Sequence, residues 1–90
     1  MLDVRYSTHF KKDFKTCVKR HYKMNLLEQV IAILRIPEAL PPNNADHNLS
    51  GNYTGYRECH IASDWLLIYC YKENDLFLYR TGTHSDLFRL

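Results

Sequence analysis

The chain has 90 residues, of which 46% are hydrophobic, and it carries a net charge of only +2. This length supports one domain with a single core, and we expect that domain to span residues 1–90. The composition is too apolar for a disordered chain, and no apolar run is long enough to cross a bilayer. Three cysteines, an odd number without metal-type pairing, argue against a disulfide framework. We therefore expect a soluble, cytoplasmic protein with free thiols and no membrane partner.

The charge is distributed unevenly along the chain. Residues 1–36 contain eight basic and three acidic side chains, whereas residues 37–90 contain four basic and seven acidic ones. A basic front half is typical of proteins that bind a polyanion or an acidic protein. A solvated helix face would produce the same pattern, so charge alone leaves both interpretations open.

The front of the chain predicts one strand followed by two helices. Residues 2–7 alternate like a strand, and Thr8 is a possible N-cap for the helix that follows. Asn25 followed by Glu28 resembles a capping box that opens a second helix, and Pro37 ends it. Each helix has an apolar stripe that would pack on a sheet, consisting of Phe10, Phe14, Cys17, Val18 and Tyr22 in the first and of Leu27, Val30, Ile31 and Leu34 in the second.

The rest of the chain predicts a long loop and three strands. Residues 37–55 contain all three prolines and two of the three glycines, so they form a loop that Leu49 could anchor to the core. Residues 56–60, 64–71 and 76–84 read as an antiparallel meander, and the run from Trp65 to Tyr71 is apolar enough for a central strand. The order βααβββ predicts an α+β fold in which a helical hairpin packs on a small, mainly antiparallel sheet.

This topology predicts a cluster of functional side chains at one end of the sheet. The first strand ends, the second begins and the third ends at the same side, so we expect four side chains to converge there: His60, Asp64, Arg80 and His84. Imidazoles, a carboxylate and a guanidinium serve proton transfer beside a phosphate. Glu58 shares a face with His60 by two-residue alternation, where it would orient that histidine, join the proton chemistry or form a salt bridge.

Four segments of the back half resemble the signatures of the YafQ branch of the RelE/ParE toxin superfamily: Asp46–Gly51, Gly55–Ile61, Asp64–Tyr69 and Arg80–Phe88. The resemblance implies a bacterial type II toxin that cleaves messenger RNA, typically in the ribosomal A site, and that a bound antitoxin silences. The functional positions of the family then fall on His47, His60, Asp64, Arg80, His84 and Phe88.

RNA cleavage without a metal requires a base for the 2′-hydroxyl proton and an acid for the leaving 5′-oxygen. We expect His84 to be the acid and either Asp64 or His60 to be the base, with no cofactor. Arg80 would hold the phosphate, and Phe88 is either a core residue or a platform for a base. Lysines on the first helix would contact ribosomal RNA phosphates: Lys11, Lys12, Lys15 and Lys19.

Three other functions remain possible from the sequence. The histidines at 47, 60 and 84 could bind zinc, although their irregular spacing and the adjacent Arg80 disfavour a cation. A non-catalytic growth inhibitor of the same fold, like the gyrase-directed ParE branch, would not depend on a histidine-rich site. A catalytically dead binding module would cleave no RNA under any condition.

Overall fold

The structure is a computed structural model and describes residues 1–88. Its strands and helices follow in the order β1 (Asp3–Tyr6), α1 (Thr8–Lys19), α2 (Met24–Leu34), β2 (His47–Asn48), β3 (Arg57–Ala62), β4 (Trp65–Lys72), β5 (Asp75–Gly82) and α3 (His84–Phe88). The predicted α+β fold is confirmed, with β2 and α3 as additions to the predicted βααβββ order. No helix among the described residues is both long and apolar enough to cross a membrane.

The five strands form one sheet in the order β1-β5-β4-β3-β2. Strands β3, β4 and β5 make the predicted antiparallel meander, while β1 pairs with β5 in parallel. The predicted long loop contains two 3₁₀ turns, Pro42–Asn44 and Gly51–Tyr53, with β2 between them. Register partners form one row across four strands: His47, Glu58, Ile68 and Arg80.

Both predicted helix caps were misplaced. Ser7, not Thr8, is the N-cap of α1, because its hydroxyl accepts a hydrogen bond from the Phe10 backbone N–H at 2.9 Å. The second helix begins at Met24, so Asn25 and Glu28 lie inside α2 and its start has no side-chain cap. A capping box requires its first residue to lie outside the helix. Here α2 already includes Met24, so Asn25 is inside the helix and cannot cap it.

Helices α1 and α2 cover one face of the sheet and build the main apolar core. Leu27, Val30 and Leu34 of α2 are buried against strand residues that include Leu67 and Leu78. From the predicted stripe of α1, Phe10 and Cys17 are buried, but Phe14 and Val18 are 37% and 46% exposed. The stripe of α1 is therefore narrower than predicted, because this helix contacts the sheet mainly along β5.

The opposite face of the sheet carries a second, smaller apolar cluster. Leu66 and Ile68 of β4 are fully buried there beneath Leu87 of α3, and Leu49 from the long loop packs against them as predicted. The central strand β4 is covered on both faces from Trp65 to Cys70, as its apolar run predicts. Tyr71 is an exception at 42% exposed, because the strand leaves the covered region there.

Candidate active site

Asp64 and His84 form a hydrogen-bonded pair at the end of the sheet. His84 begins α3 directly after β5, rather than ending a strand as predicted, and Asp64 lies in the turn between β3 and β4. One carboxylate oxygen of Asp64 accepts a hydrogen bond from the His84 backbone N–H at 3.0 Å and lies 2.7 Å from His84 Nδ1. Because an ionised carboxylate only accepts, Nδ1 carries a proton and Nε2 is left for a substrate.

These two hydrogen bonds also determine the charge of Asp64. The backbone N–H of His84 and then its ring hold the pKa of Asp64 below its usual value, so this carboxylate is ionised at neutral pH. A fixed negative charge beside Nδ1 stabilises the positive charge that the His84 ring carries when it is protonated. The pair therefore holds the His84 ring in one orientation, with Nε2 directed away from Asp64.

His60 and Glu58 of β3 complete the cluster around His84. The His60 and His84 ring centroids are 5.7 Å apart, with the rings nearly perpendicular. Glu58 is 5% exposed and shares the face of His60, as the two-residue alternation predicts. Its Oε2 atom is buried without a hydrogen-bond partner among the described residues. One ligand-type atom each of Glu58, His60 and His84 lie within 4.8 Å of one another.

His47 of β2 approaches this cluster from the next strand. Its Nε2 is 3.6 Å from Glu58 Oε1, and its Nδ1 is 2.7 Å from the Ala45 carbonyl oxygen. A carbonyl can only accept, so Nδ1 must donate to it. Without a second proton, the lone pair of Nε2 faces the Glu58 carboxylate. The contact is therefore attractive only when either Nε2 or the carboxylate carries a proton. The structure thus connects His47 to the cluster through Glu58.

Arg80 lies in the same register row, but its guanidinium points to helix α1. Its Nε and Nη2 donate to the two carboxylate oxygens of Asp13, at 2.7 and 3.1 Å. The Thr81 backbone N–H donates to the same carboxylate at 3.2 Å. Hydrogen bonding to Asp13 raises the pKa of Arg80, so the arginine is fixed and fully charged. The predicted meeting of Arg80 with the histidines is thus only partial, because Ile68 of β4 separates Arg80 from Glu58 in the row.

Sequence reasoning missed two acidic residues that position this site. Asp13 is the only acidic residue in α1, which was the one available signal, but its partner Arg80 is 67 positions away. Asp86 of α3 accepts two hydrogen bonds from Arg20, at 2.6 and 3.1 Å. That pairing holds the pKa of Asp86 well below its usual value. It also ties α3, and with it His84, to the end of α1.

The remaining predicted residues lie around this cluster. Phe88 is half-buried, with its ring centroid 6.5 Å from that of His84, and it packs on the smaller apolar cluster as well. Phe88 thus has features of both interpretations, a core residue and an accessible platform. Four lysines of α1 are exposed: Lys11, Lys12, Lys15 and Lys19.

A metal ion could be held at one place in this site. Two imidazoles and a carboxylate match the ligand preferences of Zn²⁺ and Cu²⁺, and Glu58, His60 and His84 bring such atoms together. The sequence disfavours, without excluding, a zinc site made by His47, His60 and His84. The geometry instead offers two histidines and Glu58, with Arg80 turned away towards Asp13.

The helical hairpin packs on a sheet whose end presents imidazoles and carboxylates. This is the arrangement expected for small toxins that cleave RNA by acid–base chemistry. The family described as "Bacterial toxin of type II toxin-antitoxin system, YafQ" matches residues 2–89. The chain belongs to this family, which confirms the predicted assignment.

Individual relatives agree with this assignment along nearly the whole chain. The mRNA interferase toxin YafQ of Escherichia coli K12 is 42% identical over 96% of this chain and 95% of its own length. A copper-bound mutant toxin from Helicobacter pylori has a TM-score of 0.94 at 40% identity, covering 98% of this chain and 100% of the other. The E. coli DinJ–YafQ toxin–antitoxin complex matches with a TM-score of 0.87 at 41% identity, covering 97% of each chain. The predicted fold and enzyme class are confirmed by these matches.

Proposed function

We propose that this chain is the toxin of a type II toxin–antitoxin system and acts as an mRNA interferase, an endoribonuclease that inhibits translation. The observation that carries this proposal is the Asp64–His84 pair beside His60 and Glu58. Similarity to an E. coli mRNA interferase over nearly the full chain supports the same activity. We also propose that residues 1–90 act as one toxin domain.

Cleavage would proceed by transfer of the phosphate within the RNA. A base removes the 2′-hydroxyl proton, and the 2′-oxygen attacks the phosphorus. The bond to the 5′-oxygen breaks, and that oxygen takes a proton from the acid, leaving a 2′,3′-cyclic phosphate on the upstream fragment. Positive charge beside the phosphate stabilises the transition state.

His84 is proposed as the acid, because Asp64 orients its ring and leaves Nε2 directed away from the pair. His60 is the better candidate for the base, since the lowered pKa of Asp64 makes that carboxylate a weak proton acceptor. Asp64 then positions His84 instead of taking the substrate proton. Glu58 and His47 would support His60 from the neighbouring positions on β3 and β2.

Arg80 is proposed to bind the scissile or an adjacent phosphate. Its pair with Asp13 engages Nε and Nη2, so Nη1 can donate to a phosphate oxygen while Asp13 holds the guanidinium plane in place. Phe88, next to His84, would stack on a base of the bound RNA. In this arrangement the substrate crosses α3 between the histidines and Arg80.

Partners follow from the same proposal. An antitoxin is expected because the related E. coli toxin forms a complex with the antitoxin DinJ. Messenger RNA and the ribosome would be bound in the cytoplasm, with exposed lysines of α1 against ribosomal RNA.

Replacing four lysines by glutamine (Lys11, Lys12, Lys15 and Lys19) should weaken ribosome binding. It should also lower the salt dependence of that binding by about one unit of slope for each lost phosphate contact. Loss of antitoxin affinity instead would assign this face to the antitoxin, and no change in either would make it a solvated face.

We propose that catalysis needs no metal ion, since the side chains supply both proton roles and the phosphate contact. A metal held by Glu58, His60 and His84 would occupy the nitrogen atoms that transfer protons, so it should inhibit cleavage. Metal analysis of the purified toxin, followed by activity measurements with added Cu²⁺ or Zn²⁺, tests this directly. A stoichiometric metal whose removal abolishes cleavage would overturn the proposal.

The activity itself is tested by mapping transcript ends after brief induction of the toxin in a host without its antitoxin. Primer extension should reveal cuts within coding sequences, and co-expression of the antitoxin should remove them. DNA damage without cuts would instead indicate a gyrase-directed inhibitor of the same fold. Neither effect would indicate a binding module without catalysis.

A further inference from the structure

We propose that the groove between α1, α3 and residues 49–53 binds one nucleotide of the messenger RNA beside the scissile phosphate, with Tyr53 as a stacking wall for its base. The groove has a volume of about 760 Å³, and its lining includes Tyr53, Arg80 and Phe88. This inference rests on the proposed RNA substrate and adds a binding residue, Tyr53, and a place for the base.

Two aromatic rings form a corner in this groove. The centroids of Tyr53 and Phe88 are 5.6 Å apart, and their planes meet at 82°. A base that lies flat on one ring therefore directs its own edge at the face of the other, an arrangement that aromatic quadrupoles favour. Both rings are half-buried, so each packs against the smaller apolar cluster and keeps some accessible surface. Single-stranded RNA is commonly bound by such aromatic platforms.

The Tyr53 ring is held in place before any ligand binds. Its hydroxyl donates a hydrogen bond to the Leu87 backbone carbonyl at 3.3 Å, which connects the 3₁₀ turn Gly51–Tyr53 to α3. The Tyr79 ring lies behind it, with a centroid separation of 6.2 Å. A ring fixed in this way loses little freedom when a base stacks on it, and such preorganisation favours binding.

The charges around the groove suit a nucleotide. Arg80 supplies positive charge, and the side chains of His9, Ser50 and Asn52 supply hydrogen-bonding groups for a phosphate, ribose or base edge. The carboxylate in the groove, Asp86, is paired with Arg20 and so presents little uncompensated negative charge to a phosphate. Asp13, which lies beyond Arg80, is paired with that arginine.

The groove is continuous with the proposed catalytic cluster. Phe88 follows His84 by four residues in α3, so the two side chains lie on the same face of the helix, with ring centroids 6.5 Å apart. A base held at Phe88 and Tyr53 therefore places its own phosphate near His84 and Arg80. The stacking corner would fix the register of the RNA relative to the proton donor.

The test compares three variants on ribosomes programmed with one mRNA: Tyr53→Leu, Tyr53→Phe and Tyr56→Leu. Tyr53→Leu removes the stacking wall and should raise KM by roughly 5- to 150-fold, as expected for the loss of one stacked base, with kcat nearly unchanged. Tyr53→Phe keeps the ring but loses the hydrogen bond to Leu87, so it should raise KM much less than Tyr53→Leu does. Tyr56 stacks on Tyr79 at 4.7 Å in the same apolar cluster but does not line the groove, so Tyr56→Leu is the matched control.

A second measurement separates this proposal from the proposed activity. The probe is a single-stranded RNA with a 2′-deoxyribose at the cleavage position and 2-aminopurine as the neighbouring base. Stacking in the groove should quench its fluorescence with wild-type toxin and with Tyr53→Phe, but not with Tyr53→Leu. Quenching without any cleavage of normal mRNA would refute the nuclease activity and leave the groove assignment standing. Normal cleavage with an unchanged KM in folded Tyr53→Leu, or equal losses in Tyr56→Leu, would overturn the groove assignment.

Discussion

The two faces of the sheet differ in how they use their side chains. On the helix-covered face, apolar side chains are buried, and a buried polar group such as Thr81 is satisfied, since it accepts from Trp65 Nε1 at 2.8 Å and donates to the Leu66 carbonyl at 2.7 Å. On the opposite face, His60 and His84 are partly exposed, and buried Glu58 Oε2 lacks a partner among the described residues. Unsatisfied and titratable groups are concentrated where a substrate can reach them, while the other face supplies stability.

The largest effect is expected from His84→Ala. Loss of a general acid should lower the cleavage rate by about 10²–10⁴-fold, enough to relieve growth arrest. The side chain is 41% exposed, so the thermal stability and antitoxin binding of the variant should stay close to those of the wild type. Cleavage assays paired with thermal unfolding check both expectations. Full toxicity in a folded His84→Ala protein would remove this histidine from the mechanism.

Leu67→Ala on the helix-covered face should have the opposite profile. Leu67 is fully buried in the main core, so truncation should cost about 2–5 kcal/mol of unfolding free energy. The rate per folded molecule should change little, because the catalytic cluster lies on the other face. Urea unfolding and activity of the folded fraction measure the two quantities. A specific loss of catalysis at unchanged stability would break the proposed division between the faces.

Arg80→Lys tests whether charge or shape matters at position 80. Lysine keeps the positive charge but loses the planar fork that bonds Asp13 through two nitrogen atoms. We expect cleavage to fall by roughly 10- to 100-fold, in line with the ~1.5–3 kcal/mol of a charge-assisted hydrogen bond. Steady-state cleavage on programmed ribosomes would measure it. A fully active lysine variant would reduce Arg80 to a general positive charge.

Asp64→Asn should have a smaller effect on the cleavage rate and should change how stability depends on pH. An asparagine removes the carboxylate that accepts from Nδ1 and orients the His84 ring, so we expect about a tenfold loss of cleavage rate. The pKa of Asp64 is lowered in the folded protein, so its stabilising contribution is present above the unfolded value of ~3.9 and disappears as pH falls through the folded value. The stability difference between wild type and variant should follow the same trend. A cleavage rate equal to that of the wild type in a folded Asp64→Asn protein would contradict the positioning role of Asp64.

Local patterns were sufficient to predict much of this fold. The apolar run of β4 and the stripe of α2 predicted their own burial, because burial on both faces or on one helical side leaves a direct mark in the sequence. The approach of His60, Asp64 and His84 followed from short hairpin connections alone. The stripe of α1 was misleading at Phe14 and Val18, because which part of a stripe meets the sheet depends on how the helix is placed.

Long-range pairings were not predictable in the same way. The parallel alignment of β1 with β5, the Asp13–Arg80 pair and the Arg20–Asp86 pair each join residues more than sixty positions apart. Their geometry depends on tertiary packing, on which local periodicity carries no information. The Arg80 side chain turns away from the histidine cluster towards Asp13, and this direction could be seen only in the structure.

Cleavage of an RNA with a single 2′-deoxyribose at the cut position tests acid–base transfer through the 2′-oxygen most directly. The substitution removes the attacking hydroxyl and leaves the phosphate and both neighbouring bases in place. We expect cleavage at that position to be abolished, and the unmodified RNA to yield an upstream fragment that ends in a 2′,3′-cyclic phosphate. Cutting of the deoxy substrate at the same bond, or an upstream fragment with a free 3′-hydroxyl, would show that water or another nucleophile attacks the phosphate and would contradict the proposed roles of His60 and His84.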